Sequence, residues 1–257
     1  MNAVDRNRDL AGKSILVTGG VGDIGRGIAR VLLDRGASVT LLDRIPADEA
    51  QERVDDMGNA DHVRYIEADV TDHADVDAAV NDMPDLDVAI CNAGIVEAAP
   101  FLEITDDAWQ RQIAVNLTGV FNTAQSAARR LVDERKPGLL LFTGSWVQAV
   151  PWPEIAAYST TKAGVSMLAK SMARELAPQG VRVNVIAPGI VDAGLSAHQR
   201  DIDPQYAARI EKVIPMKRLG NTEEIGQLVA YLCSDEASYM TGSDVLFDGG
   251  CTLFQFD

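Results

Sequence analysis

Short apolar runs alternate with longer amphipathic stretches along most of this chain. Runs such as Ser14–Thr18 and Gly138–Thr143 are typical of buried strands. Apolar residues at three- and four-residue spacing, as in Ile24–Arg35, predict an amphipathic helix, which stops at Gly36. Continuous apolar strands that alternate with helices indicate βαβ units and a parallel sheet with helices on both faces.

The same pattern predicts the other elements. Strands are predicted at Ser14–Thr18, Ser38–Leu42, Val63–Glu67, Asp87–Cys91, Gly138–Thr143, Val181–Ala187 and Val245–Phe247. Helices are predicted at Ile24–Arg35, Pro46–Met57, Asp72–Asn81, Asp106–Arg135, Ala156–Ala177 and Thr222–Ser234, with Thr222 as the cap of the last. No linker or composition shift divides the chain, so one domain over residues 1–257 is expected.

The composition narrows the class of protein. The net charge of −15 argues against nucleic acid or an anionic membrane as a partner. Cys91, Cys233 and Cys251 form an odd set without metal-ligand spacing, which predicts reduced thiols in a cytoplasmic protein and no metal site. No apolar run approaches the ~20 residues of a membrane span, and Met1–Leu10 is too polar for a signal peptide.

A glycine-rich loop, TGGVGDIG, runs from Thr18 to Gly25 between the first strand and the first helix. Glycines at such a turn let the backbone approach a pyrophosphate, which then lies on the helix N-terminus. A bare tight turn is the alternative interpretation. The position of the loop within the first βαβ unit favours a dinucleotide site over a TIM barrel.

Tyr158 and Lys162 lie four residues apart, so they share one face of a predicted helix. A neighbouring cation is expected to lower the pKa of the phenol and make it a proton donor and acceptor near neutral pH. Ser145 lies upstream and could hold the reacting oxygen with its hydroxyl. Each residue alone also fits a purely structural role.

Taken together, these motifs resemble the short-chain dehydrogenase/reductase family over nearly the whole chain. The matching pieces, in family order, are the loop Thr18–Gly25, Asp69 in EADV, CNAG at Cys91–Gly94, Asn116 in VNLTG, Ser145, Tyr158, Lys162 and APG at Ala187–Gly189. The resemblance implies a doubly wound Rossmann fold, α/β in class, with a seven-stranded parallel sheet. It also implies a nicotinamide cofactor, hydride transfer between alcohols and carbonyls, and a homotetramer formed through paired long helices and the C-terminal strand, with the apolar end Cys251–Phe256 buried at a subunit interface.

The resemblance also assigns roles to residues. Tyr158 would be the acid/base, Lys162 would bind the nicotinamide ribose, Ser145 would position the substrate oxygen, and Asn116 would mark a helix break that holds a water. Cofactor contacts are expected at Gly19, Asp23, Ile24, Gly25, Asp43, Asp69, Val70, Asn92, Ala93, Gly94, Tyr158, Lys162, Pro188, Gly189 and Val191.

Asp43 ends the second strand, where an acid accepts hydrogen bonds from the ribose 2′-hydroxyl of NAD and repels the 2′-phosphate of NADP. NAD is therefore the expected cofactor, although Arg44 could favour NADP. Two positions depart from the family. Asp23 stands where glycine is usual and is expected to turn away from the pyrophosphate towards backbone donors at the helix start. Ala193 stands where many relatives have threonine.

The substrate is expected to contact Ser145, Trp146, Gln148, Trp152 and Tyr158. The two tryptophans offer aromatic faces for a sugar ring, and Gln148 offers hydrogen bonds to hydroxyls. Packing of the tryptophans against a neighbouring loop or subunit, and a solvated Gln148, remain equally open.

Other segments resemble bacterial glucose 1-dehydrogenases and related aldose dehydrogenases, namely PWP, IPM, EASYMTG and DGGCTLF. They imply NAD-dependent oxidation of a small-molecule sugar or polyol. EASYMTG also recurs in 3-oxoacyl-carrier-protein reductases, which leaves a ketoreductase as the alternative. A non-catalytic nucleotide-sensing protein is a third interpretation. The segment 190–215 is expected to form a substrate lid with His198 on its surface.

Overall fold

The computed structural model describes residues 9–194, 210 and 212–253. Its strands are β1 (Ser14–Thr18), β2 (Ser38–Asp43), β3 (Val63–Glu67), β4 (Val88–Cys91), β5 (Gly138–Thr143), β6 (Val181–Pro188) and β7 (Asp244–Phe247). Its main helices are α1 (Asp23–Asp34), α2 (Ala47–Asp55), α3 (His73–Asp82), α4 (Asp106–Ile113), α5 (Gly119–Asp133), α6 (Ala156–Leu176) and α7 (Thr222–Cys233). The predicted strands and helices are thus confirmed, with ends displaced by a residue or two, except that the helix predicted at Asp106–Arg135 is divided into α4 and α5.

The seven strands form one parallel sheet in the order β3-β2-β1-β4-β5-β6-β7. The strand order reverses at β1, where Val17 pairs with Leu41 on one side and Ile90 on the other. Ligands of open α/β sheets bind at such a switch point, beyond the carboxyl ends of the strands. The doubly wound Rossmann fold is confirmed, and the loops after β1 and β4 lie side by side.

Successive residues of each strand point to opposite faces of the sheet, and each face has its own core. Ile15 and Val17 of β1 pack on one side with residues of α1, α2 and α7. Leu16 between them packs on the other side with residues of α3, α5 and α6. Burial of both faces explains why the central strands β1, β4 and β5 are apolar almost throughout rather than alternating.

The predicted long helix Asp106–Arg135 is interrupted. A π-helical turn, Ala114–Thr118, separates α4 from α5. Single π turns inside α-helices are often found at functional sites, and this one carries Asn116.

The predicted cap of α7 was wrong, because Asn221 caps this helix and not Thr222. The Asn221 Oδ1 atom accepts a hydrogen bond of 2.8 Å from the Glu224 backbone N–H, and the Glu224 carboxylate accepts one of 3.0 Å from Asn221 N–H. This capping box satisfies two backbone donors of the first turn. Thr222 instead packs against α1, where a Cβ added to Gly27 would lie 2.4 Å from the Thr222 Cβ.

Several expectations fall outside the described residues. They concern His198, most of the proposed lid 190–215, and the end of the apolar tail Cys251–Phe256. Within the described parts of the chain, no helix is long and apolar enough to cross a membrane.

Candidate active site

A cavity of about 580 Å³ opens beyond the carboxyl ends of the strands, around the switch point between β1 and β4. Most of the predicted site residues line it: Gly19, Asp23, Ile24, Gly25, Asp43, Asp69, Val70, Asn92, Ala93, Gly94, Ser145, Trp146, Trp152, Tyr158, Lys162, Pro188, Gly189 and Val191. Asn116 and Gln148 are not among the lining residues. Among the described residues, no group of three or more His, Cys, Asp or Glu side chains is arranged to hold a metal ion.

The glycine loop turns tightly between β1 and α1. Gly19 has a φ of +63°, and a Cβ added to Gly25 would lie 2.2 Å from the Gly19 carbonyl oxygen. The cap residue of α1 is Gly22, which makes no side-chain cap hydrogen bond to the first N–H groups of this helix. Uncapped N–H groups that face a cavity suit an anion such as a pyrophosphate. The residues present therefore fit a dinucleotide.

Asn92 joins the loop after β4 to both neighbouring strands. Its Nδ2 donates to the carbonyls of Thr18, at 3.1 Å, and Gly19, at 3.3 Å, while its Oδ1 accepts from the Thr143 hydroxyl at 3.2 Å. The Thr18 hydroxyl in turn accepts from the backbone N–H groups of Asn92 and Ala93. This network fixes the floor of the cavity.

Asp43 and Arg44 both line the cavity at the end of β2. The Asp43 Oδ1 accepts a hydrogen bond of 2.8 Å from the Arg44 backbone N–H. Tyr65 donates to the backbone carbonyls of Asp43 and Ile45. The backbone that carries this carboxylate is thereby held in place.

Asp69 and Val70 line the same side of the cavity. The Asp69 Oδ1 accepts 2.8 Å hydrogen bonds from the backbone and the hydroxyl of Thr71, and the Val70 carbonyl accepts from Asn122 at 2.9 Å. The short segment after β3 is therefore fixed by Thr71 within it and by Asn122 of α5.

Tyr158 and Lys162 lie on one face of α6, as their spacing predicted. The Lys162 Nζ lies 5.5 Å from the centroid of the Tyr158 ring and donates a 2.7 Å hydrogen bond to the Thr143 carbonyl. Lys162 is only 3% exposed. Its ammonium therefore lies between the ring and the end of β5.

Burial dominates the titration of both groups. It lowers the pKa of Lys162 to about 8 and raises the pKa of Tyr158 above its usual value of 10. A hydrogen bond with Ser145 acts on the Tyr158 pKa in the opposite direction but is the smaller effect. The sequence led us to expect a lowered pKa for Tyr158, whereas desolvation of the phenolate outweighs its neighbours here.

Ser145 follows β5 and opens a short 3₁₀ turn, Trp146–Gln148. The Gln148 side chain accepts a 3.2 Å hydrogen bond from the Ser145 backbone N–H and completes a capping box. Gln148 therefore holds the turn that carries Ser145. Gln148 is not among the residues that line the cavity, and its expected role in binding substrate hydroxyls stays a prediction.

Asn116 is fully buried in the π turn. Its amide accepts from Ile95 N–H and donates to the Ile95 carbonyl, both at 2.8 Å, and it also donates to the Thr161 hydroxyl at 3.3 Å. Asn116 thus fastens the segment after β4 to α6, next to Lys162. A Cβ added to Gly94 would lie 3.4 Å from the Asn116 Oδ1 and 3.5 Å from the Lys162 Nζ.

The wall of the cavity beyond Tyr158 is mostly apolar. The segment between Ser145 and Tyr158 contributes Val147, Pro153, Glu154 and Ile155 to the lining, and Ile190 lines it after β6. Sequence reasoning missed Ile95, Val96 and Ala98, which follow β4 and also line it. In sequence, single apolar residues in loops look like core residues, so no signal separates them. The Ala99 N–H donates to the Glu154 carbonyl at 2.8 Å and joins the two loops that form this wall. Trp146 meets Trp152 edge to face, with ring centroids 5.2 Å apart.

Asp23 lines the cavity as well, with a partner that was not expected. Its Oδ2 accepts a 2.9 Å hydrogen bond from the Gly194 backbone N–H, and its Oδ1 accepts one of 2.8 Å from Arg26. The backbone donor therefore lies far along the chain, after β6, rather than at the start of α1.

Comparison with known proteins identifies the class. A family model described as enoyl-(acyl carrier protein) reductase matches residues 20–252. This chain belongs to the short-chain dehydrogenase/reductase family and is an oxidoreductase that acts on CH–OH groups with a nicotinamide cofactor. The family and the enzyme class predicted from the sequence are confirmed.

Three relatives illustrate the range of this similarity. A 3beta-hydroxysteroid dehydrogenase 1 from Eggerthella lenta is 38% identical over 253 residues, with 96% of each chain covered. The crystal structure of a short-chain type dehydrogenase/reductase from Mycobacterium marinum is 35% identical, with a TM-score of 0.87. The match covers 99% of this chain and 100% of that one. A putative 2-deoxy-D-gluconate 3-dehydrogenase from Agrobacterium tumefaciens with bound NADP has a TM-score of 0.88 and 29% identity, with coverage of 96% and 98%.

Proposed function

We propose that this protein is an NAD-preferring dehydrogenase that oxidises a secondary alcohol carried on a largely apolar ring. The observation that carries the reaction is that Ser145, Tyr158 and Lys162 line the same cavity as Gly22 and Asp23 at the start of α1. The reverse reaction would reduce the corresponding ketone.

The three side chains have separate tasks in this proposal. A bound nicotinamide dinucleotide would supply the acceptor for the hydride of the carbinol carbon. Tyr158, in its ionised form, would accept the hydroxyl proton on its phenolate oxygen, and Ser145 would donate a hydrogen bond to the oxygen that becomes the carbonyl. Because burial raises the pKa of Tyr158, its ionised form depends on nearby positive charge, which Lys162 supplies when protonated.

The preference for NAD rests on Asp43. Its carboxylate lines the cavity at the end of β2, where it would accept hydrogen bonds from a ribose 2′-hydroxyl and repel a 2′-phosphate. Arg44 beside it is exposed and also lines the cavity, and the similar dehydrogenase from Agrobacterium tumefaciens binds NADP. We favour NAD because the Asp43 backbone is held by Tyr65.

The substrate class follows from the wall of the cavity beyond Tyr158. Ile95, Val96, Ile155 and Ile190 line it together with Trp152. Aliphatic side chains offer no partners for hydroxyl groups, and a polyol bound there would leave its own hydroxyls unpaired, at a cost of roughly 1–3 kcal/mol each. A ring with one hydroxyl near Tyr158 and an apolar body fits this wall. The name of the similar hydroxysteroid dehydrogenase agrees with that class.

A sugar or polyol is the second candidate, as the sequence suggested. Trp152 offers an aromatic surface and Glu154 a carboxylate beside it, and both line the cavity. The printed name of the Agrobacterium tumefaciens structure, a putative 2-deoxy-D-gluconate 3-dehydrogenase, favours this candidate. Gln148, the other expected hydroxyl partner, accepts from the Ser145 N–H with its Oε1 and is not among the lining residues. We therefore rank the sugar or polyol below the apolar ring alcohol.

A paired substrate screen tests the proposal. Reduction of NAD and of NADP is followed at equal cofactor concentration with a 3β-hydroxysteroid, an alkyl-substituted cyclohexanol, an aldose and an acyclic polyol. We expect the highest kcat/KM with a cyclic apolar alcohol and NAD. A higher kcat/KM for the aldose or the polyol would replace the substrate class by the second candidate. A higher kcat/KM with NADP would overturn the assigned role of Asp43.

We also propose a homotetramer. Phe121 of α5 and Met167 of α6 are 41% and 62% exposed in the single chain, and Leu246 of the edge strand β7 is 50% exposed. Apolar side chains on long helices and at a sheet edge are typical of surfaces that pair with another copy. Light scattering is expected to give four times the chain mass of 27.6 kDa, and a monomer would contradict this proposal.

A further inference from the structure

Asp23 joins two parts of the cavity wall that are distant in sequence. It is the first residue of α1, and its Oδ2 accepts a 2.9 Å hydrogen bond from the backbone N–H of Gly194, 171 residues away. Both residues line the cavity. The contact therefore connects the glycine loop to the segment that follows β6.

The segment after β6 is held by backbone contacts as far as Ala193, whose N–H donates to the Val191 carbonyl at 2.8 Å. Gly220 donates to the Ile190 carbonyl at 3.1 Å and accepts from the Asp192 N–H at 2.8 Å. Gly194 comes next along the cavity, with a φ of +52°, and a Cβ added to it would meet no atom within 4 Å. The side chain of Asp23 thus holds the backbone at a point where side-chain packing offers little restraint.

The charge of Asp23 has a second effect. The hydrogen bond from Gly194 and the guanidinium of Arg26 hold the pKa of Asp23 below its usual range, so the carboxylate is ionised at neutral pH. It stands at the uncapped N-terminus of α1, which fits a pyrophosphate. Two anions at one helix end repel each other. Arg26 offsets part of this repulsion, with its Nη2 2.8 Å from Oδ1.

We propose that Asp23 is a positioning residue that fixes the cavity wall at Gly194 against α1 and, through its charge, weakens the binding of the anionic cofactor. The hydrogen bond and the charge make opposite contributions to cofactor affinity. The first orders the wall around the bound dinucleotide, and the second repels its phosphates. This inference rests on the proposed nicotinamide dinucleotide, but it concerns a wall that exists in the free protein.

Two neutral substitutions separate the contributions. Asp23→Asn removes the charge and keeps an oxygen that accepts from the Gly194 N–H. Asp23→Ala removes both the charge and the acceptor. Asp48→Asn is the matched control, because Asp48 lies in the first turn of another helix, α2, and outside the cavity lining.

The first measurement is amide hydrogen exchange of the free protein over residues 191–194. We expect wild type, Asp23→Asn and Asp48→Asn to exchange alike, and Asp23→Ala to exchange about fivefold faster, as loss of one hydrogen bond predicts. Equal exchange in Asp23→Ala and wild type would overturn the positioning role, whatever the enzyme turns over.

The second measurement is the Kd for NAD without alcohol, by calorimetry at low and high salt. Asp23→Asn is expected to bind about two- to fivefold more tightly than wild type at low salt, and the gain should shrink at high salt. Asp23→Ala should bind about fivefold more weakly than Asp23→Asn. Equal Kd values for these two variants, or tighter binding by Asp48→Asn, would refute the proposal. If no variant binds NAD or NADP, the proposed function fails, while the exchange result still decides the role of Asp23 in the wall.

Discussion

The ammonium of Lys162 lies 5.5 Å from the centre of the Tyr158 ring while its proton points at a backbone carbonyl, that of Thr143, 2.7 Å away. The pair is therefore arranged as a cation near an aromatic ring, with its hydrogen bond made to the backbone. Burial makes the charged form of each side chain costly. The pKa of the Lys162 amine therefore falls, and the pKa of the Tyr158 phenol rises.

Replacing Tyr158 by phenylalanine removes the proposed proton acceptor and keeps the ring. We expect kcat for the alcohol that gives the highest kcat/KM in the screen to fall by about 10²–10⁴-fold, since general acid–base catalysis contributes that much. The Kd for NAD should change less than about threefold, because the aromatic ring is retained. Steady-state kinetics and calorimetric titration measure the two quantities. Retention of most of kcat would exclude Tyr158 as the base.

The titration of Lys162 should appear in the stability of the protein. Its pKa is about 8 in the fold against 10.5 usually, so between these values the unfolded chain binds the proton more strongly and stability rises with pH. Lys162→Met lacks this group. The difference in free energy of unfolding, variant minus wild type, should fall by about 2 kcal/mol from pH ~8 to pH ~10. Urea denaturation across this range gives both curves, and parallel curves would contradict the prediction.

Asp43→Asn tests the choice of cofactor. The amide keeps hydrogen-bonding atoms at the end of β2 but no longer repels a phosphate, so the ratio of kcat/KM for NAD to that for NADP should fall by about tenfold. Arg44→Ala is the companion variant, and it should lower only the residual activity with NADP. An unchanged ratio in Asp43→Asn would move the discrimination to other residues of the cavity.

Two glycines of the loop give a matched pair. A methyl group at Gly25 would lie 2.2 Å from the Gly19 carbonyl, whereas one at Gly22 would lie 3.4 Å from the same atom. We expect Gly25→Ala to lower the free energy of unfolding by about 2 kcal/mol and to weaken NAD binding. Gly22→Ala should cost about 0.5 kcal/mol or less. Similar losses in the two variants would show that the close approach at Gly25 is not the cause.

Asn116→Ala should loosen the segment after β4 that carries Ile95. It leaves both backbone groups of Ile95 without their amide partner, at an expected cost of about 2 kcal/mol. Asn122→Ala is the control, since it also removes a buried amide but one that bonds Val70. Faster hydrogen exchange at Ile95 is expected in the first variant and not in the second.

The fold was predictable because the strands of the sheet leave a recognisable pattern in the sequence. Strands buried on both faces, such as β1 and β5, appear as unbroken apolar runs, and loops at the switch point use glycine. The common face of Tyr158 and Lys162 was also predictable, because it depends on their spacing along one helix. The place of Ser145 beside them was expected from the family resemblance rather than from local spacing.

What the sequence did not predict depends on contacts between distant segments. The partner of Asp23 is a backbone N–H that follows β6, and backbone donors carry no residue signature. The cap of α7 fell on Asn221 because Thr222 packs against Gly27, a contact between two helices. The raised pKa of Tyr158 follows from burial, which spacing on a helix does not reveal.

The number of residues in the π-helical turn Ala114–Thr118 determines how α4 and α5 are oriented around the candidate active site. Each residue of an α-helix turns the following side chains by about 100°. Deleting a single residue there would convert the turn to ordinary α-helix and rotate α4 relative to α5, carrying Asn116 away from Ile95. Substitutions in this turn at positions other than Asn116 keep its length, whereas a one-residue deletion or insertion does not, so these positions should tolerate changes of identity better than changes of length.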